Sequence, residues 1–318
     1  MTDTLEDKET SPFTPTIDAF TRHLRALGRS RHTIRLYTGT ARLLEQFCVT
    51  HRLTSDPTAV SRDHCEMFMD DQIQRHGETS TPQTRHKALR AFFDWLADRE
   101  EIPSPMAKIG QPKAPEHLIP VLGDDEVNRI LDAAGKGKGF YARRDAALIW
   151  VLLSTGARAS EVTNLTVADL DLDLSVCRIV KGKGGKSRNV PLNAGAIDAL
   201  DRYLASRRRH VDSTEPWLWL GRSKRSHLGN TGVWQIVRRV GAGAGLPKLH
   251  PHQFRHTFAD RWLAAGLGEQ ALMAIMGWNT PTMLARYAKA NAASRAMTIA
   301  LASHPMDAIT NNGRRSSP

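Results

Sequence analysis

Residues 249–266 read LHPHQFRHTFADRWLAAG. If a helix begins near Pro251, His252 and Arg255 lie three residues apart on one face. His256 then points elsewhere, and Phe258 and Trp262 turn toward a core. An apolar helix that opens on His, Arg and His is unusual for a purely structural element. A site where histidine exchanges protons while arginine holds an anion suits it better.

Working outward, three further stretches carry candidate chemistry. Downstream, residues 276–290 read MGWNTPTMLARYAKA, with Trp278 nine residues before Tyr287. Taken alone, both aromatics read as packing residues. Upstream, residues 154–165 read STGARASEVTNL. Gly156 permits a tight turn, and Arg158 falls in the first turn of the helix that follows, where a base opposes the helix dipole. Glu161, three residues on, can pair with it, and a plain surface ion pair explains both residues as well as an anion site does. Between the two, SVCRIVKG and KSRNVPL flank Lys183-Gly184-Gly185 and predict a β-hairpin with a glycine turn. Lys181, Lys183, Lys186 and Arg188 crowd that turn. They could reach a phosphate or a groove edge, although a solvated turn that blunts an edge strand is the simpler reading.

The rest of the chain sets the frame. Of 318 residues, 41% are hydrophobic, enough for two ordinary cores. Forty-four Lys and Arg against 33 Asp and Glu leave a net charge of +11, which favours a polyanionic partner, nucleic acid ahead of a membrane surface. No apolar run is long enough to span a bilayer, and the first residues are acidic and polar, so a cytoplasmic location is expected. Cys48, Cys65 and Cys177 are far apart and read as reduced core thiols. No HExxH, paired acidic cluster or Cys/His spacing suggests a metal, and no cofactor is expected. GKGKG at 135–139 lacks a preceding strand and is a weak phosphate-loop signal.

Periodicity predicts a loose tail at 1–12 and a helical domain over 13–100. Ile17, Phe20, Leu24 and Leu27 form one stripe. Ile34, Tyr37, Ala41, Leu44 and Cys48 form another after a Ser30 cap, and two more helices follow. Proline-rich residues 101–121 read as an extended linker. A second domain spans 122–309. After its hairpin, everything is expected to be helical, with breaks near 241–247, 265–268 and 279–281. A disordered tail closes the chain at 310–318. Arg31, Arg35 and Arg42 lie along the second helix, and Arg85, Lys87 and Arg90 along the fourth. Two basic helices could enter adjacent major grooves, or they could simply be solvated faces.

The four chemical stretches become specific together. An arginine in TGAR, a lysine in a GKG hairpin turn, HxxR opening a helix, then Gly-Trp and a tyrosine nine residues later, in this order, resemble the catalytic domain of the tyrosine recombinase (phage integrase) family. The resemblance covers about residues 122–300, and the helices over about 13–99 resemble the family's core-binding domain. It implies a mainly α fold with a small antiparallel sheet in a mixed α+β catalytic domain. By the same resemblance, Arg158 and Arg255 would hold the scissile phosphate, with Glu161 orienting the first. His252 would be the base, Lys183 the acid for the departing oxygen, and Tyr287 the nucleophile. Many members, Xer resolvases included, have Gly-His where this chain has Gly277-Trp278, whereas Cre-like and Flp-like recombinases carry Trp. That points toward integration or excision of a mobile element, or plasmid dimer resolution.

The chemistry is self-consistent. Without a metal, fixed cations must stabilise charge on a pentacoordinate phosphorus, and arginine forks suit its oxygens. Trp278 can donate its indole N–H but cannot move a proton. The resemblance also implies double-stranded DNA as partner and a homo-tetramer on two synapsed duplexes, which a paralogous recombinase could share. The striped segment 293–309 could pack on its own domain or, by the same resemblance, dock on a neighbouring protomer. Two related alternatives are a type IB topoisomerase or telomere resolvase, and a non-catalytic DNA-binding protein on the same fold.

Overall fold

The computed structural model describes residues 13–77, 79–113, 120–180, 187–223, 225–281, 283–284 and 297. The expectations for both tails, for Lys181, Lys183 and Lys186, for Tyr287 and, Met297 apart, for the segment 293–309 lie outside these residues. The chain divides into two units, Met1–His117 and Leu118–Pro318.

In the first unit the apolar stripes become four helices. α1 (Phe13–Ala26) buries Phe13, Ile17, Phe20 and Leu24. Leu27 departs from its predicted place on the stripe: it is 56% exposed, because the helix stops at Ala26 and Gly28 turns the chain with φ of +66°. α2 (Arg31–Thr50) starts where Ser30 Oγ accepts the Thr33 N–H at 3.1 Å, a cap whose removal would cost about 1 kcal/mol. α3 (Arg62–His76) is opened by a reciprocal Ser61–His64 cap, and α4 (Ser80–Glu100) by Thr79. The aromatic core is centred on Phe20 and Phe92, which meet edge to face at 5.3 Å.

Residues 101–113 correct the reading of 101–121 as an extended linker. Met106 and Ile109 are buried in the core of this first unit. The His86 Nε2–H donates to the Ile109 carbonyl at 2.9 Å. Prolines remove the helical period, but two apolar side chains still find a core.

The second unit begins with α5 (Asp124–Gly135). Its first turn holds three acids, and Glu126 accepts the Gly123 N–H at 3.0 Å. α6 (Phe140–Thr155) is apolar nearly all round and runs through the core. It ends at Gly156, whose φ of +57° few side chains tolerate. α7 (Ala159–Thr163) follows. A three-stranded antiparallel sheet comes next, in the order β1 (Leu170–Asp171), β2 (Val176–Ile179), β3 (Arg188–Pro191). β2 and β3 are the expected hairpin strands, with Cys177 opposite Val190 and Ile179 opposite Arg188. The short β1 has no sequence signal of its own.

After α8 (Ala194–Arg207) the expectation of continuous helix fails. Residues 208–229 contain no α-helix among the described residues and are stapled by side chains instead. The buried Arg207 donates to the carbonyls of Ser213, Glu215 and Trp217. Tyr203 Oη donates to Leu218, the Trp219 indole N–H to Val162, and the buried Arg144 to Leu220. Side-chain bonds that reach back across the unit have no periodic signature, so sequence pattern does not reveal them. α9 (Asn230–Gly243), α10 (Pro251–Ala264) and α11 (Glu269–Met276) complete the described elements, at the predicted breaks. Phe258 and Trp262 of α10 pack, as anticipated, against a satellite core of Ala259, Leu272, Met276, Trp278 and Leu284.

Candidate active site

Two turns and the start of one helix assemble the site. At the first turn, the left-handed Gly156 lies so close to α10 that a Cβ there would stand 2.8 Å from the Phe258 ring. The chain therefore reverses tightly and presents Arg158 as the N-cap of α7, just outside the helical turn where the sequence places it. Arg158 donates its backbone N–H to Glu161 Oε2 at 2.9 Å and its Nη1 to Glu161 Oε1 at 3.1 Å. Its side chain remains one-third exposed.

Arg255, on α10, is almost fully buried. Its Nη1 donates to the Gly156 carbonyl at 2.8 Å and its Nη2 to that of Met276 at 2.9 Å. One arginine thus ties the turn before Arg158 to the end of α11. Its guanidinium also lies 5.6 Å from the Trp278 ring centroid, within cation–π reach. Trp278 follows Gly277, whose φ of +63° ends α11.

His252, in the first turn of α10, is exposed and borders an open cleft of about 220 Å³ that Arg158, Ser160, Asn230, Trp234 and Arg255 also line. Partial desolvation, then the charges of Arg255 and Arg158, push its pKa below the ordinary imidazole value. A neutral imidazole beside two guanidinium groups can accept a proton next to a bound anion.

Glu161 is the pivot beneath this surface. Burial pushes its pKa up, but hydrogen bonds from Arg188 and the Arg158 backbone, with the charges of both arginines, hold it below the ordinary carboxylate value. It therefore stays ionised although only 8% exposed.

Arg188 requires a correction. Turn composition groups it with the hairpin lysines as a DNA-binding residue, yet its side chain is 10% exposed. Nη1 and Nη2 grip the two Glu161 oxygens at 3.1 and 2.8 Å, and Nε donates to the Ile275 carbonyl at 2.5 Å. Sitting on β3 opposite Ile179, it faces inward, a fact of strand register that composition does not carry.

The structure thus brings together Arg158, Glu161, His252, Arg255 and Trp278. Lys183 and Tyr287, with Lys181 and Lys186, lie outside the described residues. In the first unit, Arg31, Arg35, Arg42 and Lys87 are partly or fully exposed, as is Arg90, which faces Asp94 at 3.7 Å. Arg85 is half-buried, its Nη1 3.0 Å from His76 Nε2. Sequence reasoning missed Trp234. In NTGVWQIVRRV the apolar stripe of α9 is Val233, Ile236, Val237 and Val240. An indole off that stripe, 42% exposed at the cleft, was the available signal.

Fixed cations around an open cleft, on a mainly helical scaffold with one small antiparallel sheet, define a class of protein whose site suits an anion. The chain belongs to the phage integrase family, the tyrosine-type site-specific recombinases: the sequence pattern of that family matches residues 120–294. It is 32% identical over 292 residues to a protein named tyrosine recombinase XerC from Roseiflexus sp. (strain RS-1), covering 89% of this chain and 91% of that one. To tyrosine recombinase XerA of Pyrococcus furiosus it is 28% identical over 261 residues, covering 82% and 84%. The fold is shared with XerH site-specific recombinase bound to a palindromic difH substrate, with TM-score 0.69, 20% identity and coverage of 86% and 80%. It is shared too with the Tn1549 transposon integrase in complex with a circular intermediate DNA, with TM-score 0.68, 22% identity and coverage of 86% and 94%. Similarity to Xer-named proteins spans most of the chain despite Trp278, so that residue alone does not set the chain apart from them.

Proposed function

We propose that Arg158 and Arg255 hold the scissile phosphate of double-stranded DNA while Tyr287 attacks it. The observation that carries this reading is the convergence of Arg158, His252 and Arg255 on one open cleft. The tyrosine Oη forms a bond to phosphorus, and the bond from phosphorus to the 5′ oxygen breaks. His252 accepts the tyrosine proton, and Lys183 supplies one to the departing 5′ oxygen. The 3′-phosphotyrosyl product conserves the energy of the broken bond, so a 5′-hydroxyl reverses the step without a nucleotide cofactor. Trp278, with its ring 5.6 Å from the Arg255 guanidinium, steadies that arginine.

The active assembly is a homo-tetramer on two synapsed duplexes, or one shared with a paralogous recombinase. The segment 293–309 docks on a neighbouring protomer. The exposed basic residues of α2 and α4 hold the flanking duplex, and the protein works on DNA in the cytoplasm, at the nucleoid. Its role is integration or excision of a mobile element, or resolution of plasmid dimers.

The test is a nicked suicide duplex whose recognition sequence the protein has itself selected from a random library. The intact chain is expected to give a covalent adduct on a denaturing gel, and Tyr287→Phe none. An adduct in the variant overturns the nucleophile assignment.

A further inference from the structure

We propose that Arg188 is a positioning residue for DNA cleavage: by taking both oxygens of Glu161 it leaves the Arg158 guanidinium facing the cleft, in register with the end of α11. The inference rests on the reading that Arg158 holds the scissile phosphate.

Two arginines share one carboxylate. Glu161 is buried between them, and their side chains differ in exposure, 10% for Arg188 and 33% for Arg158. A carboxylate gripped by a full guanidinium fork has its charge balanced and both oxygens engaged. Arg188 provides that fork, so Arg158 gives Glu161 only Nη1 from its side chain. Remove Arg188, and Glu161 becomes a buried anion with a single cationic partner. Leaving a buried charge undercompensated is costly. The flexible, part-exposed Arg158 then supplies the missing fork and withdraws from the cleft.

A second arm runs through Nε to the Ile275 carbonyl. The next carbonyl, Met276, is taken by Arg255. Two arginines from β3 and α10 therefore hold consecutive carbonyls in the last turn of α11, directly before Gly277 and Trp278. The fit is close: a Cβ at Gly277 would stand 3.2 Å from Arg188 Nη1. One side chain thus joins the second strand of the hairpin, the start of α7 and the end of α11. All three of its nitrogens are committed to Glu161 and the Ile275 carbonyl.

The experiment measures single-turnover cleavage and DNA affinity separately, on the library-selected suicide duplex. Arg188→Met is expected to cleave on the order of a hundredfold more slowly at saturating DNA, the usual cost of a displaced catalytic group. Its dissociation constant should change less than about threefold, since Arg188 neutralises no phosphate. Adding Glu161→Gln should recover about tenfold of the missing rate. The amide still accepts the Arg158 backbone N–H but no longer draws its guanidinium inward. A residue that merely braced the fold would show no such suppression, because the double variant would be as impaired as the single one or worse. Arg188→Lys keeps the charge without the fork, and an intermediate rate, about tenfold down, is expected. Should Arg188→Met not fold, the lysine variant with and without Glu161→Gln carries the same comparison. Unchanged cleavage in the lysine variant, weakened DNA binding at unchanged rate, or failure of Glu161→Gln to suppress would each overturn the proposal. Arg158→Ala separates the two layers: if it cleaves normally, the reading of the phosphate site has failed, not the role of Arg188 in holding Glu161.

Discussion

Arg255 and Arg35 carry the same guanidinium in opposite circumstances. In the second unit Arg255 is 3% exposed and holds the carbonyls of Gly156 and Met276, while Arg188 and Arg207 are likewise sunk among acceptors. In the first unit Arg31, Arg35 and Arg42 stand at the surface along α2. Buried arginines here act through fixed geometry, at short range and in a low dielectric. Exposed ones such as these add a summed attraction that salt screens. Both groups contribute to the same net charge, yet they answer to different experiments.

The largest effect should follow from breaking the buried side. Arg255→Ala removes the proposed phosphate ligand and strands two carbonyls at once. Single-turnover cleavage should fall about 10²- to 10³-fold, and urea denaturation should register a destabilisation of about 3 kcal/mol. If stability is untouched, the carbonyl clamp is not structural and the contrast with α2 collapses.

A smaller effect separates the groups by pH. As the proposed base, His252 must be neutral to accept a proton, and partial desolvation with the charges of Arg255 and Arg158 lowers its pKa in the folded protein. At sub-saturating DNA, where the rate reports the free protein, cleavage should rise with pH and reach half its plateau below 6.5, the ordinary imidazole value. Protonation at lower pH switches the base off. A rate profile between about pH 5 and pH 8 reads this directly, and a midpoint above 6.5 contradicts it.

The smallest effect belongs to the exposed side. Arg35→Gln with Arg42→Gln should leave cleavage at saturating DNA unchanged. The slope of log affinity against log salt should become shallower by about 0.9 for each phosphate that α2 no longer neutralises. An unaltered slope means that α2 presents only a solvated face.

The same contrast explains what the sequence discloses. The stripes that place Ile17, Phe20, Ala41 and Leu44 are periodic, and so the four helices are legible. His252 and Arg255 are legible because three-residue spacing on a helix fixes a shared face. Arg188 is not, since its role depends on Glu161 and Ile275, distant in sequence and joined to it only by strand register. Residues 208–229 are illegible for a related reason: Arg207 and Tyr203 organise them through backbone carbonyls, and any sequence supplies those. Met106 and Ile109 show the reverse error, in which prolines conceal two ordinary core residues.

The grip of Arg188 has a consequence for anyone wishing to exchange parts between relatives. A β-hairpin looks like a cassette, closed on itself and ready to graft. Here its second strand is keyed to the host at two places, a carboxylate at Glu161 and a bare α-carbon at Gly277. A donor strand without the arginine, or a host without that acid and that glycine, would splice together a lock and a key cut for different doors.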